Sequence, residues 1–380
     1  MEVEETQAGR SLLANSNMSS AEVVLGFLEE AEPWRLRSSQ FPSKVGGKPA
    51  WLSQKDLPSL HELECEICRL PMVFLLQVYA PISGQDRSFH RTLLLFCCKT
   101  PECYSHNDSR CMKVLRSQLP RRNEFYPYEP PPEDEPPNGT EEDHTVLSVS
   151  GFKLCWMCGC PGNKACSRCH TVTYCGKHHQ TLHWKHSHKK ECCSPDATVV
   201  TSSPLLFPES ELVTEPEEEE DEEGKQGKDT EAEEEGSIQK SLDCPSLADT
   251  LTETDLEEMA MHETEDNKVF QHFKKKIAPE PHQVIRYSRG GSPLWVSSQH
   301  IPSDEDIPPC TCGAKRMFEF QVMPQLLNCL PVDSTGASID WGTLAVYTCS
   351  ASCSHGDQYC PEFIWKQDFS SDQHLQIKDT

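Results

Sequence analysis

The sequence reads as a mainly β protein of the α+β class. Two repeated β-rich halves each surround a four-cysteine knuckle, a small cysteine/histidine finger is inserted between them, and disordered acidic linkers join the parts. Three observations lead there. Twenty-one cysteines fall mostly in short-spaced pairs. Two blocks of the chain repeat each other in order and spacing. Acidic residues and prolines concentrate in two runs outside those blocks.

At 380 residues the chain has room for two or three domains. Only 36% of it is hydrophobic, so not all of it is packed core. No apolar run approaches the ~18 residues that span a membrane, and the longest, around Met72–Val78, reads as one buried strand. A membrane partner is therefore not expected. The N-terminal MEVEE lacks the basic and apolar regions of a signal peptide, which predicts a soluble intracellular protein. The net charge of -25 is local: residues 209–236 carry -13 and residues 129–143 carry -7, leaving -5 for the remaining 337 residues. In a reducing compartment, clustered cysteines are more often metal ligands than disulfides. The sequons at Asn17, Asn107 and Asn138 carry no weight there.

In order, residues 1–20 read as a disordered tail and 21–128 as the first β-rich repeat, ending in RRNEFYPYEP. Residues 129–151 form a Pro/acidic linker, 152–193 the finger, and 194–245 a second acidic linker, disordered by composition. Short helices are expected over 246–281. Thr254 and Glu257 make a capping-box pattern before Leu256, Met259 and Ala260. Phe270, Phe273 and Ile277 recur at i, i+3 and i+7. Residues 282–380 hold the second repeat.

The repeat rests on four matches in the same order. Gly46-Gly47-Lys48-Pro49-Ala50-Trp51 answers Gly290-Gly291-Ser292-Pro293-Leu294-Trp295. Cys65-x2-Cys68 answers Cys310-x-Cys312. Nine residues past the second cysteine stands Gln77 in one half and Gln321 in the other, each in a strand-like run. LLLFCCKTPEC then answers LAVYTCSASC, which aligns Cys98 with Cys349 and Cys103 with Cys353.

Within the finger the ligand candidates are Cys155-x2-Cys158, Cys166-x2-Cys169, Cys175-x3-His179 and His188-x3-Cys192. Eight soft or imidazole donors in 38 residues are enough for two tetrahedral Zn2+ ions with no open position. So short a segment needs metal binding to supply most of its folding free energy. His178 is an alternative to His179, and His183 and His186 are rival donors. Cys160 and Cys193 read as bystanders. Seven Lys/Arg against Glu191 give this block +6, or about +4 once six thiolates meet two Zn2+. That patch lacks the dense basic, base-reading helix of a sequence-specific finger, so direct DNA binding is not favoured.

Each repeat adds a four-sulfur set: Cys65, Cys68, Cys98 and Cys103 in the first, Cys310, Cys312, Cys349 and Cys353 in the second. A pair at a turn meets a pair at a strand end, which predicts a zinc knuckle in each half and one further ion apiece. Cys97 is a substitute for Cys98 that the repeat alignment disfavours. The Gly-Gly-x-Pro-x-Trp element reads as a tight turn before a core Trp. Gln77 and Gln321 must satisfy their amides, by pairing within the sheet or by bonding a partner's extended chain. Lys274–Lys276 reads as the charged end of a helix. The acidic runs read as solvated spacers, with shielding of a very basic client as their functional alternative.

The finger's signature, C-x2-C…C-x2-C…C-x3-[C/H]…H-x3-C, resembles the MYND zinc finger. That resemblance implies alternating ligand pairs: Cys155, Cys158, Cys175 and His179 on one zinc, and Cys166, Cys169, His188 and Cys192 on the other. It also implies docking of short proline-containing peptides, with Trp184 the aromatic residue expected to line the groove.

The stretch VVLGFLEEAEPWRLRSSQFPSKVGGKPAWL, then LLQVYAP, the finger, CGAKRMFEFQVMPQLLN and SIDWGTLAVYTC together resemble the programmed-cell-death-2 family, over both repeats and the finger. The resemblance implies nuclear and cytoplasmic localisation and links to proliferation, stem-cell maintenance and cell death. Relatives with the same repeated domain act as chaperones of a newly made small-subunit ribosomal protein. The expected function is thus chaperoning of a basic small-subunit ribosomal protein, in support of ribosome biogenesis, cell proliferation and survival. The alternative is an adaptor recruiting transcriptional co-repressor peptides through the finger. No catalytic motif is present: Gly-x-Ser-x-Gly, His-Glu-x-x-His and an Asn-His-Ser core are all missing, so no enzyme is expected.

Overall fold

The computed structural model describes residues 22–134, 153–193, 205–218, 264–332 and 338–370. Ten of its strands close into one barrel: β1 (Val24–Glu29), β2 (Lys44–Val45), β3 (Val73–Tyr79), β4 (His90–Cys97), β5 (Met112–Leu119), β8 (Ser210–Pro216), β9 (Ile285–Tyr287), β10 (Arg316–Val322), β11 (Thr343–Cys349) and β12 (Cys360–Gln367). The remaining two, β6 (Lys164–Ala165) and β7 (Thr173–Tyr174), pair within the finger. Helix α1 (Lys177–His183) belongs to the finger, and α2 (Glu265–Ile277) precedes β9. The described residues are thus mostly β with few helices.

Aliphatic and aromatic runs bounded by turns make these strands, and closure leaves them without a free edge. Strand order round the barrel is β1-β8-β2-β3-β4-β5-β12-β11-β10-β9, returning to β1. All neighbours are antiparallel. The N-terminal β3-β4-β5 ladder meets the C-terminal β12-β11-β10 ladder at β5–β12, where Arg116 pairs with Cys360. Both ladders bend at the same place. A bulge between Phe74 and Leu76 lies just before Gln77, and one between Phe318 and Phe320 lies just before Gln321. The two halves are therefore not separate β-rich bodies but the two sides of one barrel.

Two sequence expectations are corrected here. Residues 194–245 are not all linker, because 205–218 is ordered and contributes β8. Its acidic composition conceals Phe207 and Leu212, which are 2% and 4% exposed, and burial of those two side chains outweighs the charge around them. Of the two readings offered for Gln77 and Gln321, contact with a partner's chain falls: each is 1% exposed and satisfied internally. Gln77 Oε1 accepts from Ala50 N–H at 3.0 Å while Nε2 donates to Pro42 O at 3.0 Å. Gln321 accepts from Leu294 N–H and donates to Leu294 O at 2.9 Å and Thr343 Oγ1 at 3.0 Å. Each glutamine thus ties the residue before its repeat's tryptophan to the ladder.

α2 follows the predicted i, i+3, i+7 pattern. Thr264 caps it by accepting from Asn267 N–H at 3.2 Å, and Phe270 and Phe273 pack with Val296 and Met323. Lys274–Lys276 fill its last turn. The tail 1–20, residues 135–151 of the first linker, and the capping-box helix at Thr254–Ala260 lie outside the described residues.

One core cluster runs from Val24 to Ile364 and includes Met157, Val172 and Tyr174 of the finger. The finger is therefore packed on the barrel wall. Trp51, 1% exposed, donates from Nε1 to Gly159 O at 2.8 Å, and stacks on Phe96 with centroids 5.8 Å apart. Gly159 has φ +70, and a Cβ there would stand 2.7 Å from Lys48 Cβ. Only glycine lets the finger approach this closely.

Candidate metal centres

Four groups of donors gather in the structure, each with its ligand atoms within 4.8 Å of one another: Cys65, Cys68, Cys98 and Cys103; Cys155, Cys158, Cys175 and His179; Cys166, Cys169, His188 and Cys192; and Cys310, Cys312, Cys349 and Cys353. Every described cysteine is free of disulfide.

Local backbone geometry builds each knuckle. In the first repeat, Cys65 N–H donates to Leu70 O and Arg69 N–H to Cys65 O, both at 2.9 Å, with Arg69 at φ +60 closing the turn. Strand β4 ends beneath it and delivers Cys98. In the second repeat the shorter Cys310-x-Cys312 turn closes on Gly313, φ +87, whose N–H donates to Cys310 O at 2.8 Å. The end of β11 delivers Cys349.

In the finger, Gly159 and His170 are the left-handed residues that close the two Cys-x2-Cys turns. α1 continues through a wider π turn, Trp184–His188, into Lys189–Glu191. His179 and His188 stand nine residues apart, about two and a half helical turns, so they project from opposite faces toward different sulfur sets. His179 Nδ1 lies 3.0 Å from Cys175 Sγ and 3.7 Å from Cys155 Sγ. His188 Nε2 lies 3.5 Å from Cys169 Sγ.

The rival donors are placed elsewhere. His178 and His186 are exposed. His183 lies between the two centres, with its Nδ1 2.8 Å from Tyr174 OH and its ring stacked on Trp156 and His188. Burial pushes it down to about 4, so it stays neutral there. Cys97 faces away from the Cys98 set, beside Tyr104 and Cys111, and burial raises its thiol to about 12. Cys160 is buried against the Cys158 carbonyl and Cys193 is exposed.

The donor sets fit a tetrahedral soft cation. Ligands about 2.3 Å from a tetrahedral centre lie about 3.8 Å apart. The sulfur pairs stand at 3.6 Å (Cys68–Cys98), 3.9 Å (Cys158–Cys175), 4.0 Å (Cys166–Cys192), 3.5 Å (Cys310–Cys353) and 3.6 Å (Cys312–Cys349). Charge points the same way. At Cys68 burial opposes ionisation, but a backbone hydrogen bond from Leu70 and the sulfur of Cys98 outweigh it and bring the thiol to about 7. Its neighbour Cys98 is driven by burial up to about 11. Cys310, at about 7, has the same balance of burial against a backbone hydrogen bond, and so does Cys169, at about 6. Such crowded sulfurs do not all ionise without a cation among them. All four sets are closed, with no place left for a substrate, and Zn2+ bound there would act as a structural cross-link.

Sequence reasoning missed what holds the second-repeat knuckle. Arg116 on β5 donates to Cys353 O at 2.8 Å and to Glu362 Oε1 at 2.6 Å, while Glu362 Oε2 accepts from Cys349 N–H at 3.1 Å. One strand of the first repeat thus braces the metal set of the second. No local signal points to a pair 246 positions apart. Trp184 is half-buried at the finger's surface, edge-on to His188 with centroids 5.8 Å apart.

Comparisons with known proteins agree with this architecture. Residues 22–133 match the programmed cell death protein 2 N-terminal domain, 267–368 the programmed cell death protein 2 C-terminal putative domain, and 155–192 the MYND finger. Programmed cell death protein 2 of Bos taurus is 49% identical over 93% of this chain and 98% of its own. Programmed cell death protein 2-like of Homo sapiens is 28% identical over 82% and 85%. A Schizosaccharomyces pombe protein named "Probable 20S rRNA accumulation protein 4" is 23% identical over 87% and 92%. No solved structure matches the chain. Matching N-terminal and C-terminal domains, the finger between them, and near-full-length relatives at about half identity place this chain in the programmed cell death protein 2 family.

Proposed function

We propose that this protein is a non-enzymatic, zinc-stabilised binding factor that chaperones a basic ribosomal protein into ribosome assembly, working in nucleus and cytoplasm. The observation that carries the proposal is the set of four closed Cys/His centres welded to one barrel. Such centres give rigidity rather than a reactive metal, which suits a body that holds another protein. On this reading each centre takes one Zn2+, four in all, and the two ladders with their matching bulges and glutamines are copies of one unit.

The name of the fission-yeast relative ties that protein to accumulation of an rRNA, which is why a ribosomal client is preferred. The acidic runs carry -20 of the chain's charge and suit a basic client. DNA is not proposed as a partner, because the finger's basic patch is modest; no described helix is long and apolar enough to cross a membrane.

The rival is an adaptor whose finger recruits co-repressor peptides, and half-buried Trp184 is the observation in its favour. Because the finger shares the barrel's core, deleting it would damage both. The test therefore compares the full chain with Trp184→Ala, each purified from cells with its bound proteins identified by mass spectrometry. One ribosomal protein held stoichiometrically by both, without mature ribosomes, supports the chaperone. Co-repressor subunits lost with Trp184, and no ribosomal protein above background, would make the protein an adaptor.

A further inference from the structure

We infer that the groove between β1 and β2 is a strand-acceptor site for acidic extended peptides, held in this chain by its own residues 205–218 and open to exchange. β1 and β2 are neighbours in sequence but not in the barrel. β8 lies between them, paired to β1 over six residues and to β2 over two. β1 in turn lies against β9, the strand that follows β8 in the chain. Each side of the barrel is therefore completed by a leading strand from the other side, an exchange of the kind that domain swapping produces.

The slot is built to receive a backbone. Gly46 and Gly47 have φ +69 and +65, and Cβ atoms there would stand 1.8 Å from Pro208 O and 2.4 Å from Glu209 Cδ. A Cβ on Gly26 would meet Leu212 at 3.1 Å. Three glycines thus clear the path of this segment. In the other half, Gly290 has nothing within 4 Å of its Cβ position, and a Cβ on Gly291 would meet Ser288 Oγ of its own turn at 2.4 Å. Main-chain bonds fix the register: Gly47 N–H donates to Phe207 O at 3.0 Å, Leu212 N–H to Ser43 O at 2.9 Å and Glu217 N–H to Val23 O at 2.8 Å. This is β-augmentation within one chain.

Side chains set the specificity. Phe207 and Leu212 are the two deeply buried anchors. Basic residues surround the acidic strand: Lys44 pairs with Glu209, Arg286 with Glu217 at 2.7 Å, and Lys99 stands 4.2 Å from the Phe207 ring centroid. Residues 205–218 contain five acids and no Lys or Arg, and two of those acids, Glu209 and Glu217, meet these cations. The other positions of the strand are half-buried or exposed. Forty-five residues separate Glu218 from Thr264 along the chain, so release of the segment need not pull on α2. The inference does not depend on which client the protein serves.

The test uses the full chain with protease sites inserted within 195–203 and 220–230, both cut after folding. The probe is a fluorescein-labelled peptide of residues 205–218. The cut chain should lose its own segment on dilution and take up the probe, read by anisotropy. The uncut chain should bind at least about tenfold less, because its tethered segment competes at roughly millimolar effective concentration. A Phe207→Ala/Leu212→Ala probe should bind at least about tenfold more weakly, and binding should fall several-fold with added salt. Retention of the native segment with no probe uptake over a day would overturn the inference, as would irreversible loss of β structure on its departure, or equal binding of the alanine probe.

Discussion

Arg91 on β4 and Glu319 on β10 form a two-pronged ion pair inside the barrel, with both side chains fully buried. Arg91 Nη2 donates to Glu319 Oε2 at 2.7 Å, and the other prong joins Nη1 to Oε1. Tyr287 OH donates to Glu319 at 2.9 Å, and Arg91 also reaches Ala80 O at 3.1 Å. Every strong partner of the carboxylate except Arg91 comes from the second repeat, so this pair is a polar bolt between the two sides.

Removing one partner should cost more than the pair contributes, since the survivor is a buried, unmatched charge. Arg91→Ala or Glu319→Ala is expected to lower stability by about 3–5 kcal/mol, whereas Arg91→Met with Glu319→Leu should recover much of that loss. Urea denaturation of the three variants measures it. Equal losses in the double and single variants would show that the charges themselves, not their balance, hold the site.

The same carboxylate gives a pH signature. Burial works to raise its pKa, and the Arg91 guanidinium overrides that and holds it at about 2, against an ordinary value of about 4.3. A lowered folded pKa stabilises above the unfolded value and is lost as pH falls through the folded one. The difference in stability between the native chain and Glu319→Gln should therefore be largest above about pH 5 and shrink steadily toward pH 2. Using the difference removes the acid sensitivity of the metal centres, which both proteins share.

How much of this was legible follows from the range of each interaction. Zinc asks for donors at fixed short spacing, so Cys65-x2-Cys68 or Cys175-x3-His179 announces itself within five residues. The equal spacing of Gln77 and Gln321 from their cysteine pairs exposed the parallel between the halves, though not what the glutamines bond. β8 was hidden because two anchors, Phe207 and Leu212, lie in a segment whose average is acidic. Arg91–Glu319 and Arg116–Glu362 join positions 228 and 246 apart. Only closure of the barrel makes neighbours of them, and strand order is not written in local pattern.

Trp51 should prove to be the finger's anchor. Trp51→Phe keeps most of the ring and loses the bond to Gly159 O, at an expected cost of about 1 kcal/mol. Gly159→Ala puts a Cβ into Lys48 at a left-handed residue and should cost at least about 1 kcal/mol. Both should speed proteolysis within 153–193 well before the barrel unfolds. Trp295→Phe is the control: Trp295 lies in a separate cluster with Phe318 and Tyr347, so it should leave cleavage of the finger unchanged.

Metal loss should be ordered by how far solvent reaches each set. The Cys310, Cys312, Cys349 and Cys353 centre has Cys312 exposed and Cys353 half-buried, whereas all four donors of the Cys155, Cys158, Cys175 and His179 centre are buried. A chelator attacks through the most accessible ligand, and a thiolate must be protonated or displaced before the ion leaves. Timed zinc release to a colorimetric chelator should thus show the second-repeat centre emptying first and the inner finger centre last. Cys312→Ser should delete the fastest phase and Cys158→Ser the slowest, each lowering bound zinc by about one ion. Because Arg116 braces Cys353, Arg116→Met should quicken the fastest phase alone. If Cys158→Ser removed the fastest phase instead, solvent exposure would not govern release, and the strain of each knuckle would have to.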